Sequence, residues 1–159
     1  IAQRVAEMRA QGTTTVEIKS GYGLSVADEV RSLRLAAEVT TETTFLGAHE
    51  IPLEARATTD GRSNYISLLV HEMIPRVAQQ ELARFADVFC EPGAYTVTES
   101  RQILGAARDA GLGLKLHADE LRSSGGAELA AQRKLVIYTI GIGASYLFLA
   151  NAAHALLGR

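Results

Sequence analysis

An α/β fold made of parallel β-α-β units follows from three observations. Four short β-rich runs begin near residues 13, 43, 85 and 113, and each closes on polar residues. Apolar residues at helical spacing fill the intervals between them. The three crossovers are at least 28 residues long, too long for hairpins and right for parallel strands joined by helices. Units of this kind build either a doubly wound sheet or part of a (β/α)8 barrel. A whole barrel needs about 250 residues, so four units would make about half of one.

The elements follow in order. Residues 1–10 read as helix, with Ile1, Val5 and Met8 on one face and Gly12 where a helix end favours a left-handed residue. Because the chain opens on Ile1 inside this pattern, it is expected to be a piece of something longer. Its N-terminal residues lack the apolar h-region of a signal peptide, so none is expected in this stretch. The first β-rich run covers 13–19. Ser25-Val26-Ala27-Asp28 then offers a capping box, continued by Val26, Val30, Leu33 and Ala37. The second run covers 43–49. Tyr65, Leu68, Leu69 and Met73 mark another helix, which Pro75 must end or restart. The third run covers 85–91. Thr96-Val97-Thr98-Glu99 is a second capping box, followed by Ile103, Leu104 and Ala107 before Gly111. The fourth run covers 113–117.

Composition excludes several classes. Eighteen acids against sixteen Lys plus Arg give a net charge of −2, unsuited to gripping nucleic-acid phosphates. A single cysteine, Cys90, excludes a disulfide framework and any multi-cysteine zinc site. The charge is unevenly spread, since residues 135–157 hold no Asp, Glu, Lys or Arg over 23 positions. Three readings fit this stretch. It could follow a frame shift or truncation near Gln132, which the abrupt break favours. It could be a barrel strand at 135–142 with an apolar helix at 145–157. Last comes a membrane span, which needs about 20 residues but is diluted here by Gly141, Gly143, Ser145, Asn151 and His154.

In parallel α/β folds, ligands meet the carboxyl ends of strands. Those ends carry Lys19-Ser20-Gly21-Tyr22-Gly23, then Ala48-His49-Glu50, then Cys90-Glu91, then His117-Ala118-Asp119-Glu120. His49 and His117 therefore occupy equivalent places in separate units. His117, with Asp119 and Glu120 close by, suits a metal ligand beside a proton-moving carboxylate, although either histidine could be structural. Lys19 could be a surface lysine at a strand end, Tyr22 a core aromatic, and Cys90 an inert core thiol. His71 and His154 carry no assigned role. Gly21-Tyr22-Gly23 lacks the third glycine of a dinucleotide loop.

These strings together resemble the imidazolonepropionase family of metal-dependent amidohydrolases. The matching segments are Glu17-Ile18-Lys19-Ser20-Gly21-Tyr22-Gly23-Leu24, Phe45-Leu46-Gly47-Ala48-His49 with Pro52 beyond, Phe85-Ala86-Asp87-Val88-Phe89-Cys90-Glu91, Lys115-Leu116-His117-Ala118-Asp119-Glu120, and Ser124-Gly125-Gly126-Ala127-Glu128-Leu129-Ala130. The resemblance runs from residue 1 to Gln132. It implies a partial (β/α)8 amidohydrolase barrel over 1–132, with 133–159 as an apolar tail departing from the family pattern. It also implies hydrolytic opening of 4-imidazolone-5-propanoate to N-formimidoyl-L-glutamate in the cytoplasm, one zinc or iron ion, and room for a homodimer in the complete enzyme.

By the same resemblance His117 is a metal ligand and Glu120 the catalytic carboxylate, which also contacts substrate. Tyr22 and His49 bind substrate, with His49 polarising the ring carbonyl. The family's His-x-His pair and its late aspartate have no counterpart in this sequence, so the chain alone is expected to be inactive. Two other readings stay open: a different amidohydrolase of the cyclic amidine deaminase type, and a non-catalytic fragment or membrane-tethered binding module.

Overall fold

The computed structural model describes residues 1–133 and 136–138. Its sheet contains β1 (Glu17–Lys19), β2 (Glu42–Ala48), β3 (Phe85–Cys90), β4 (Gly113–Ala118) and β5 (Val136–Tyr138). Every neighbouring pair is parallel and the spatial order is β1-β2-β3-β4-β5, the same as the order in sequence. A doubly wound sheet reverses its order at a switch point and carries helices on both faces. Here the order never reverses. Residues of the intervening helices share one apolar cluster with one face of the sheet: Leu33, Leu69, Ile103 and Leu129 meet Phe45, Val88, Cys90 and Leu116. The fold is a sector of a (β/α)8-type barrel.

The helices follow the capping chemistry of the sequence. α1 spans Ala2–Ala10, and Gly12 beyond it takes φ +95°. At α2 (Val26–Ala37), Ser25 Oγ accepts from the Asp28 amide at 3.1 Å, while its hydroxyl donates to the Asp28 carboxylate at 2.8 Å. The box is therefore half closed, because the short Asp28 side chain takes the hydroxyl instead of reaching back to the Ser25 amide. α4 (Gly61–Leu68) passes through a widened π turn at Leu69–Met73 into α5 (Ile74–Gln79). Pro75 lacks an N–H and its ring would strike the carbonyl four residues back; the wider turn relieves both, so the helix restarts rather than ends. Two elements had no sequence counterpart, the short α3 (Leu53–Arg56) and α7 (Gly126–Arg133), whereas β5, paired with β4, falls within the 135–142 stretch read as one of three alternatives to be a barrel strand. The first strand is also shorter than its β-rich run. The readings made for the rest of the 133–159 tail fall on residues outside those described.

At α6 (Val97–Asp109) the box closes fully between Thr96 and Glu99. Arg62 of α4 grips the same carboxylate with two hydrogen bonds of 2.7 Å. These Arg62 bonds, opposed by burial and helped by the Thr96 amide and hydroxyl, hold the Glu99 carboxyl at about 2 instead of its ordinary 4.5. A depressed carboxylate stabilises the fold above its unfolded pKa and loses that contribution as pH falls from about 4.5 toward 2. Because Glu99 is partly in solvent, screening limits the loss to about 1–2 kcal/mol. Unfolding free energies from urea titrations at about pH 6 and about pH 3 should differ by up to this amount more in wild type than in Glu99→Gln.

Candidate active site

Strand parity decides which side chains face away from the helices. On β3 and β4, Ala86, Val88, Cys90, Leu116 and Ala118 pack against the helices. The alternate residues Asp87, Phe89, Lys115 and His117 therefore take the opposite face. On β2 the pairing slips by one residue: Phe45 pairs with Ala86, yet Ala48 pairs with Val88. Phe45 and Ala48, three apart, consequently both lie in the helix-side core, which simple alternation forbids. The bulge falls at Leu46-Gly47, and a Cβ on Gly47 would collide with the Phe45 ring. Its loosened backbone groups find side-chain partners. Ser20 Oγ accepts from the Leu46 amide at 3.1 Å, and the Tyr65 hydroxyl donates to the Gly47 carbonyl at 3.0 Å. By restoring Ala48 to the core, the bulge turns His49 to the open face.

There His49 joins a row of rings across four successive strand ends. Tyr22 and His49 meet edge-on at 4.9 Å between centroids, His49 and Phe89 at 5.7 Å, and Phe89 and His117 at 6.0 Å. Tyr22 is 86% exposed, so it is no core aromatic and stands free to meet a ligand. The segment bearing His49 is pinned on both sides, since Tyr65 holds the Gly47 carbonyl and Tyr95 donates to the Glu50 carbonyl at 3.0 Å. Burial pushes both phenols above their usual range, which keeps them protonated as donors.

Beneath the rings runs a line of alternating charges. Lys115 Nζ lies 2.7 Å from Glu17, Glu17 lies 3.4 Å from Lys19, and Lys19 donates to Asp87 Oδ2 at 2.6 Å. The same Asp87 oxygen is 3.0 Å from His117 Nδ1. Lys19 is thus an interior ion-pair residue and not the surface lysine considered from sequence. Sequence reasoning gave Asp87 no role; the signal available was a lone acid inside an apolar strand. Asp87 is fully buried, its Oδ1 takes no hydrogen bond among the described residues, and its Oδ2 stands behind His117 Nδ1.

The β4–α7 loop carries Glu120. Asp119 adopts φ +56° and turns its carboxylate into the loop, accepting from the Ser124 amide and hydroxyl and, at 3.0 Å, from the Ala127 amide. These bonds tie the loop to the start of α7. Buried Glu91 accepts from the Glu120 amide at 2.6 Å and from the Leu121 amide at 3.3 Å. Cys90 is buried and its thiol is pushed up by burial, as an inert core position requires. A separate cleft of about 610 Å³ opens beside Glu91, Tyr95, Thr96 and Ser124; Tyr22, His49 and His117 do not line it. Among the described residues, no three His, Cys, Asp or Glu side chains are placed to hold a metal ion, and His117 offers one imidazole. No helix among them is long and apolar enough to cross a membrane.

Sequence comparison decides the relationship. The chain is 52% identical to an imidazolonepropionase of Symbiobacterium thermophilum over 136 residues, covering 81% of this chain and 31% of that protein. It is related to the imidazolonepropionases. The imidazolonepropionase of Syntrophobacter fumaroxidans is 52% identical over 127 residues, covering 76% of this chain and 29% of its own length. That of Shewanella oneidensis is 45% identical over 136 residues, 82% of this chain and 33% of the relative. The chain thus spans about a third of the curated imidazolonepropionases it matches. No protein-family model matches it.

Proposed function

We propose that this segment forms part of the active site of a hydrolase that opens the ring of 4-imidazolone-5-propanoate to N-formimidoyl-L-glutamate. The observation that carries the reading is the convergence of Tyr22, His49, His117 and the Glu120 loop at the carboxyl ends of consecutive parallel strands, in a chain about half identical to imidazolonepropionases. Tyr22 and His49 bind and orient the ring, and Glu120 moves the proton. Hydrolysis adds water across the cyclic amide: the carbonyl carbon gains the oxygen, the C–N bond breaks, and the ring nitrogen leaves with the proton that Glu120 delivers. His117 would give one ligand to a zinc or iron ion, which supplies Lewis acidity and an acidified water when bound. The described residues do not complete its coordination shell, and a catalytic zinc site takes three protein ligands. The 159-residue chain alone is therefore expected to be inactive.

The test uses the full-length protein that carries this segment. Incubation with 4-imidazolone-5-propanoate should yield the ring-opened product, and chelation should abolish turnover. Ammonia release without ring opening would point to a deaminase, and no reaction at all would remove the proposal.

A further inference from the structure

The contacts of His49 define its hydrogen-bonding character, and they trace back to a buried acid outside the site. Glu29 on α2 is fully buried, and its Oε1 accepts three amides: Gly21 at 3.2 Å, Gly23 at 2.8 Å and Leu24 at 3.0 Å. A carboxylate with three donors on one oxygen fixes the loop around Tyr22. Gly21 must be glycine there, because it adopts φ +117° and an added Cβ would lie 2.6 Å from the Leu46 carbonyl. In that conformation the Gly21 carbonyl meets His49 Nδ1 at 3.2 Å.

A carbonyl oxygen only accepts, so the proton of this hydrogen bond sits on Nδ1. A neutral imidazole carries one N–H, which leaves Nε2 with a lone pair. Nε2 has no partner among the described residues, and the rings against His49 are those of Tyr22 and Phe89.

Resting on the reading that His49 contacts substrate, we propose that it does so as a neutral acceptor through Nε2. The group it recognises is then a ring N–H of a cyclic amide or ureide, not the carbonyl oxygen that the family resemblance suggested it polarises. Glu29 is the positioning residue for this arrangement, acting through Gly21. A hydantoin bearing a 5-propanoate arm is a suitable probe, since it keeps ring N–H groups and a carbonyl on a stable ring.

Two measurements on the full-length protein test this. Nitrogen-15 NMR of His49, assigned by its loss in His49→Gln, should show the neutral Nδ1–H form at neutral pH. An Nε2–H form or an imidazolium would overturn the proposal without any variant having to fold. In binding, methylating the recognised ring nitrogen of the hydantoin should weaken the wild type at least tenfold, and His49→Ala should show little of that penalty. An undiminished penalty in His49→Ala would also overturn it. Glu29→Gln, which keeps an acceptor oxygen, should retain the Nδ1–H form, whereas Glu29→Ala should lose it. Failure of imidazolonepropanoate turnover would remove the proposed substrate while leaving the NMR result to decide the role of His49.

Discussion

Replacing Glu120 with glutamine in the full-length protein should lower kcat for imidazolonepropanoate by about 10²- to 10⁴-fold, the usual contribution of a positioned acid–base group. Glutamine matches glutamate in shape and cannot carry the proton. The fold should be unaffected, because the loop is set by groups other than the Glu120 side chain. Glu91 holds its amide at 2.6 Å, and Asp119 secures the turn through Ser124 and Ala127. Steady-state kinetics should therefore show a loss in kcat with a small change in KM, while the thermal midpoint stays put. Unchanged turnover would remove Glu120 from the chemistry. Asp119→Ala gives a useful contrast. It would disorder the loop and strain a φ of +56°, so KM and stability should suffer together.

Asp87→Ala should destabilise the full-length protein by about 3–5 kcal/mol, the range expected when one member of a buried ion pair is deleted. Asp87 is fully buried, with Lys19 Nζ at 2.6 Å and His117 Nδ1 at 3.0 Å on the same oxygen. Removing it deletes a 2.6 Å ion pair from a largely enclosed interior, where Glu17, 3.4 Å from Lys19, is also paired with Lys115. Asp87→Asn keeps the volume and one acceptor oxygen and should cost less. Denaturant midpoints at constant slope would measure both. A change below about 1 kcal/mol in Asp87→Ala would show that the line of charges does not stabilise the barrel interior.

Much of the architecture was legible without coordinates because it follows from local rules. Crossover length implied parallel strands, and Ser25 and Thr96 announced the starts of α2 and α6. The strand ends put forward His49 and His117, the latter beside Asp119 and Glu120, and the family resemblance added Tyr22 and chose Glu120. α3 escaped notice because four residues carry too little periodicity. The half-closed box at Ser25 and the full one at Thr96 differ by the one methylene that separates Asp28 from Glu99.

By itself the sequence determined the period of each element, its caps and the polar character of its end, since these depend on residues a few positions apart. The tertiary structure decided what depends on distant partners. Strand order excluded the doubly wound alternative, because only the paired strands reveal that it never reverses. One extra residue at Leu46-Gly47 reversed the parity of β2 and brought His49 beside Phe89, and no reading of β2 alone could show against which neighbour the register slips. Lys19 and Asp87 are 68 positions apart, as Lys115 and Glu17 are 98 apart. Their pairing exists because the barrel interior forces buried charges of opposite sign together, a condition set by packing and not by spacing along the chain.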